Sequence, residues 1–241
     1  GGGPSPRQHA AYLRWIKEFE FYHGATGGLV ELHHRLTDNP NLLPLDFAAL
    51  WNEREDVRLG DVTVATLSRQ RLPLYLCVHG GDHGWARLHW LMDFAAAVSR
   101  LPNLDAEIEA ADRGGLKWSF LHPLMLANEW LGLPVDSRLL ATYRKCVPLR
   151  RRDWLLRRLY SPTDWCDVAP QGSWKRTLRL SLWERLYRFS LKSGWRYRIS
   201  QMQREWFSPA DRDTVPLPEG LSWLYPFVRP WGWLIRHLSL F

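Results

Sequence analysis

Residues 69–98 read RQRLPLYLCVHGGDHGWARLHWLMDFAAAV, and this stretch is the strongest helical signal in the chain. Its apolar positions predict helix that is broken or bent around Gly80-Gly81 and Gly84. The glycines fit a close approach of two helices better than a phosphate loop, because glycine has no side chain in the way. Downstream, a helix is predicted over Leu104–Arg113, ending at Gly114-Gly115. Another runs from Trp118 to Leu131, with Pro123 in its first turns. Helices joined through Gly or Pro predict a compact bundle. Beyond Pro134 follow a basic helix over Arg138–Leu159, a loop, a long helix over Trp174–Phe207 interrupted at Gly194, and a proline-punctuated aromatic tail.

Upstream, Tyr12, Leu13, Ile16, Phe19 and Phe21 recur at near-helical spacing and predict helix from Ala10 to Tyr22. After the glycines at 24, 27 and 28, LVELHHRL (29–36) alternates as a half-buried strand does. Phe47, Leu50 and Trp51 mark a short helix starting near Asp46, and Leu59-Gly60-Asp61 makes a turn into a strand carrying Val62 and Val64. Ser68 is placed to cap the helix that follows. The fold class expected is therefore α+β and mainly α: short strands near 28–36 and 57–66, then a helical bundle. Four regions are expected. They are a flexible tail or cut end over 1–9, an incomplete α/β part over 10–68, a helical domain over 69–134, and a basic, Trp-rich helical extension over 135–241.

A hydrophobic fraction of 46% and a charged fraction of 24% exclude wholesale disorder. Tryptophan is the anomaly: of 15 in 241 residues, ten follow Leu121. Charge is also lopsided, with 12 Lys and Arg against 15 Asp and Glu up to residue 120, and 20 against 10 after it. Cys77, Cys146 and Cys166 are odd in number and lack CxxC spacing, which predicts a reduced, cytoplasmic setting. No window reaches the roughly 20 apolar residues needed to span a bilayer, so surface association is the most a membrane is expected to have.

Two constellations carry chemistry. On a strand, Glu31, His33 and Arg35 project from one face, which suits a metal-bound phosphate and equally suits an exposed Glu–Arg pair. On a helix, His79 and His83 share a face with Asp82 and Asp93 near them, a polar cluster compatible with metal or with histidines that cap and bridge helices. Signatures for serine hydrolases, dinucleotide binding and P-loops are absent. Two basic clusters stand in the second half. The first is Arg150, Arg151, Arg152, Arg157 and Arg158; the second runs from Lys175 and Arg176 through Arg179, Arg185, Arg188 and Lys192 to Arg196 and Arg198. With Trp183, Trp195, Trp223, Trp231 and Trp233 they are compatible with a phosphate backbone, with anionic headgroups, or with a solvated face whose tryptophans pack inward.

VELHHRL (30–36), the set Phe47, Leu50, Trp51 and Arg54, TLSRQRLPLYLCVHGGDHGWARLHWLMDFA (66–95) and VPLPEGLSWLYPFVRPWGW (215–233) together resemble a nucleotidyltransferase-like family. That family includes proteins encoded near lasso-peptide and polysaccharide biosynthesis genes, and the likeness covers most of residues 10–241. The resemblance implies a polymerase-beta-type enzyme, in which two carboxylates on one strand and a third on a neighbouring strand hold divalent metal at nucleotide phosphates. Glu31 matches the third carboxylate, with His33 and Arg35 as accessory groups. The paired aspartates are missing: Asp211-Arg212-Asp213 has the D-x-D spacing but sits in a proline-bounded polar stretch. The chain is thus expected to be a truncated C-terminal region, inactive alone and without a cofactor of its own. In a complete member, Mg2+, a nucleotide and an acceptor are expected. The alternatives are a helical module for a substrate, peptide or protein partner, and a peripheral module on an anionic membrane surface. Nucleic acid is not expected.

Overall fold

The computed structural model describes residues 13, 16–43, 45–160, 174–206, 215 and 217–238. The expected tail over 1–9, Cys166, and Asp211 and Asp213 lie outside these residues, as do the side chains of Lys175, Arg176 and Trp233. The fold is α+β and mainly helical. Contacts divide the chain into two compact units, one of residues 1–41 and 195–241, the other of residues 42–194.

In the first unit, β1 (Glu18–His23) pairs antiparallel with β2 (Gly28–His33). The stretch up to Tyr22 was expected to be helical, yet from Glu18 it is strand. EFEFYH alternates charged and aromatic residues, and such residues suit a pleated surface better than a helix with no apolar stripe. Gly27, at φ +68, closes the turn. The expected half-burial of β2 is also corrected, since Leu29, Val30 and Leu32 are all exposed. The rest of the unit comprises α9 (Trp195–Trp206), a 3-10 turn (Glu219–Leu224) and α10 (Tyr225–Leu238). In α10, Pro226 and Pro230 are accommodated within the helix rather than ending it.

The second unit opens with α1 (Phe47–Asn52), whose N–H groups at Ala48 and Ala49 donate to the Asp46 carboxylate. The hairpin β3 (Glu55–Leu59) and β4 (Val62–Thr66) follows, forming a sheet of its own. Its ends are held by ion pairs, Arg71 forking onto Glu53 at 2.7 and 3.0 Å and Arg69 meeting Glu55 at 3.2 Å. Ser68 does not cap with its side chain, because its carbonyl, not its hydroxyl, accepts from Arg71 and Leu72.

The bundle consists of α2 (Leu72–Asp82), α3 (Leu88–Val98), α4 (Leu104–Arg113), α5 (Lys117–Leu131), α6 (Ser137–Arg144), α7 (Val147–Leu159) and α8 (Trp174–Ser190). The single basic helix expected over Arg138–Leu159 is two helices, divided at Lys145-Cys146 ahead of Pro148. Helix α5 packs on α2, α3, α4 and α7, and α7 on α8. Phe94 and Phe120 meet edge to face at 5.5 Å, with Leu91, Leu121, Leu124 and Leu156 buried around the bundle. Each such side chain contributes about 1.5–3 kcal/mol on burial.

The break between α2 and α3 explains the glycines. Gly84 and Trp85 both take left-handed φ angles, +59 and +56, and Trp85 N–H donates to the Gly80 carbonyl at 2.7 Å. The indole thereby folds back over Gly80, where a Cβ would overlap its ring, while Gly81 receives the Leu191 side chain. Deeper in, Arg152 is 4% exposed and donates to Ser119 Oγ and the Ser190 carbonyl, and Ser119 Oγ donates to the Leu191 carbonyl. A guanidinium is thus placed at the electronegative C-terminal end of α8.

Two outcomes follow. Gly80→Ala forces the Trp85 indole out of place and lowers stability by about 1–3 kcal/mol in chemical denaturation. His122 is fully buried with Nδ1 3.1 Å from the Tyr187 hydroxyl, and burial, helped by Arg152, holds its pKa down to about 3 from 6.5. The unfolded chain therefore takes up that proton first, so stability falls as pH drops from about 6.5 toward 3. Unfolding measured across that window should show a shallower slope in His122→Gln.

Candidate functional site

The register of β1 and β2 builds the site. Glu18 stands opposite His33, and Glu20 opposite Glu31, so strand alternation places all four on one face of the hairpin. Glu18 Oε2 and His33 Nε2 are 2.8 Å apart, and His33 Nε2 and Glu31 Oε2 are 3.6 Å apart. Among the described residues, Glu18, Glu31 and His33 form the one group whose donor atoms, all within 4.8 Å of one another, could hold a metal ion. Glu18 is the member missed in the sequence, because its strand reads as helix there. The signal available was the acid–aromatic alternation of EFEF, which repeats every second residue and places Glu18 and Glu20 together.

The donor set fits a divalent cation. Two carboxylates and one imidazole suit Mn2+, Zn2+ or Fe2+, and the carboxylates alone suit Mg2+. Glu18 Oε2 is buried and lacks a hydrogen bond of acceptable geometry, although His33 and the Lys17 ammonium, at 3.5 Å, lie at ion-pair distance. Both neighbours leave room on this oxygen for a further partner such as a cation, because a carboxylate oxygen accepts from more than one direction. Glu20 and Glu31, directly opposite each other, add like-charge repulsion that a cation would relieve.

Arg35 does not join them. It lies past the end of β2, and its guanidinium donates to the Ile16 carbonyl at 2.9 Å. Burial holds its pKa below the ordinary value against the pull of Asp38. Asp38 anchors the hairpin: its carboxylate accepts from Lys17 N–H at 2.8 Å and pairs with Arg204 of α9 at 2.8 Å. Beside it, buried Asn39 donates to Gln201 Oε1 at 3.0 Å.

The second constellation takes a different form. His79 and His83 lie 4.8 Å apart by ring centroids and pack on Trp90 at 5.4 and 4.9 Å. Asp82 is buried and accepts, through its backbone carbonyl, from Arg188. Asp93 is exposed on α3. These four do not make a metal-holding group. Instead, His83 and Trp90, with Arg87, Leu159, Tyr160, Leu180 and Glu184, line a cleft of about 410 Å³ within the second unit.

The basic clusters are partly consumed by the fold. Arg152 is buried, Arg157 pairs with Asp153 and Glu129, and Arg188 pairs with Glu184. Arg158 sits over the Trp154 ring.

A family model described as an uncharacterised nucleotidyltransferase matches residues 6–132, more than half of the chain. The match spans the hairpin and the helices to α5, while residues 133–241, including the ending over 215–233, lie outside it. No curated protein and no solved structure matches the chain.

Because Asp38 joins β1 to α9, Asp38→Ala should cost about 2 kcal/mol of stability. Hydrogen exchange should then show earlier opening of both β1 and α9, whereas a purely local surface role would leave α9 unchanged.

Proposed function

The chain belongs to the uncharacterised nucleotidyltransferase family, and from that premise we propose that its hairpin forms part of a divalent-cation site for a nucleoside triphosphate. Glu31 is the carboxylate that the family resemblance assigns to the metal. Glu18 and His33 complete the group, and that three-residue convergence on one strand face is the observation carrying the proposal. A cation held there supplies positive charge to the triphosphate and favours transfer of the nucleotidyl group. The chain's own contribution is to keep two carboxylates aimed at one point, with His33 between them when the site holds no cation.

The remaining carboxylates of a transfer-competent site come, in this proposal, from strands that complete the sheet. Both edges of the β1–β2 hairpin lack a strand neighbour among the described residues. The face opposite the acids carries Phe21, Val30 and Leu32, each more than half exposed. A two-stranded hairpin with an open apolar face and two open edges is the kind of element that larger sheets incorporate. Glu18-Phe19-Glu20 has carboxylate–x–carboxylate spacing, but Glu20 does not belong to the convergent group. A D-x-D pair from added strands is therefore the better fit to the polymerase-beta-type arrangement. A second role, as a module binding a small substrate or peptide, is favoured by the aromatic-walled cleft in the helical unit.

Calorimetric titration with Mn2+ or Mg2+, followed by a nonhydrolysable nucleoside triphosphate, tests the site. Cation binding and cation-dependent triphosphate binding are expected, with Glu31→Gln weakening the cation by about tenfold or more. Triphosphate binding that ignores the cation, or cation binding that survives Glu31→Gln unchanged, would sink the proposal.

A further inference from the structure

Helix α9 is built with its polarity reversed. Tyr197 and Gln201 are buried, and Arg204, at 17% side-chain exposure, is paired with Asp38. These residues face the interior of the first unit, where Asn39 donates to Gln201. On the opposite side, Trp195, Ile199, Met202 and Trp206 stand exposed at 67, 42, 36 and 48%. Their spacing of four, three and four residues gathers them into one stripe. A helix facing only water does the reverse, burying its apolar stripe and exposing its polar side.

A second stripe follows in the same unit. Trp223 in the 3-10 turn and Phe227, Trp231 and Ile235 of α10 recur every fourth residue, and all are exposed. Helices α9 and α10 are in contact. The residues beside the stripes decide what they meet. Arg196 and Arg198 are exposed and flank the α9 stripe on its two sides by the helical period, and the Arg196 guanidinium lies 5.5 Å from the Trp195 ring centre. Helix α10 contains no acidic residue, and the one acid of α9, Glu205, accepts a hydrogen bond from Gln201.

Tryptophan at the water–hydrocarbon boundary, with arginines reaching from beside it to phosphate oxygens, is the chemistry of an interfacial helix. We propose that the outer faces of α9 and α10 seat on an anionic lipid bilayer surface, the helices lying in the interface. No described helix is long and apolar enough to cross the membrane, so this is attachment from one side. The proposal is independent of the cation site, whose residues lie on the β1–β2 hairpin.

The test is flotation of the full chain with vesicles of phosphatidylcholine alone, or with about a third phosphatidylserine, together with tryptophan emission. Binding to the phosphatidylserine vesicles with a blue shift is expected, lost at high salt. A double variant, Arg196→Gln with Arg198→Gln, should weaken that binding on the order of tenfold or more, and Trp195→Ser with Trp231→Ser should abolish the blue shift. Circular dichroism and Mn2+ titration of each variant show whether the fold and the hairpin site persist. Absence of binding to either vesicle, or equal binding to both, overturns the proposal. So does concentration-dependent dimerisation, seen by sedimentation and lost in the tryptophan variant, because the stripes would then cover a second copy.

Discussion

Asp38 is shared between two parts of the chain that lie more than 150 residues apart in sequence. Its carboxylate takes the Lys17 N–H, which sets where β1 begins, and the Arg204 guanidinium, which sets where α9 lies. Charge-assisted hydrogen bonds of this kind are directional as well as strong. Once Lys17 is held, the register follows, His34 N–H donating to the Lys17 carbonyl at 2.9 Å and the ladder continuing to His23 and Gly28. The convergence of Glu18, Glu31 and His33 is a consequence of that register, because a slip of one residue would put Glu31 and His33 on the face opposite Glu18. Reversed polarity in α9 has the same origin: anchoring through Arg204, Gln201 and Tyr197 turns Trp195 and Trp206 outward.

The acidic face of the hairpin carries an electrostatic cost. Glu20 opposite Glu31 is a like-charge pair that a merely structural hairpin gains nothing from. His33 lies between Glu18 and Glu31, and the Lys17 ammonium lies beside Glu18 at 3.5 Å. A similar economy governs the helical unit, where Gly80 leaves room for the Trp85 ring and Arg152 settles the carbonyl end of α8. Its arginines are partly structural: Arg152 is buried, and Arg157 and Arg188 are paired with acids.

Several features were legible in the residues themselves. Gly84 and Gly114-Gly115 marked helix ends, Gly194 marked the gap before α9, and Asp46 marked the start of α1, because caps and breakers act within a few residues. Glu31 and His33 were legible as same-face neighbours once 29–36 read as strand. Others were hidden. Tyr12, Leu13, Ile16, Phe19 and Phe21 fit a helical period by coincidence, masking the strand that carries Glu18. His79 and His83 have a spacing that suits ligands and bridging histidines alike, and that Trp90, from the next helix, packs against both is a fact of the tertiary structure.

By itself, the sequence determined the α+β, mainly helical class, the positions of most breaks, and family likeness over residues 6–132, since local backbone preferences and motif residues are properties of short segments. Tertiary structure alone decided that Glu18 joins Glu31 and His33, that Arg35 turns away to the Ile16 carbonyl, and that the tryptophans of α9 face outward. Those outcomes depend on cross-strand register and on an ion pair between Asp38 and Arg204, and neither periodicity nor spacing encodes which distant partner a side chain will meet.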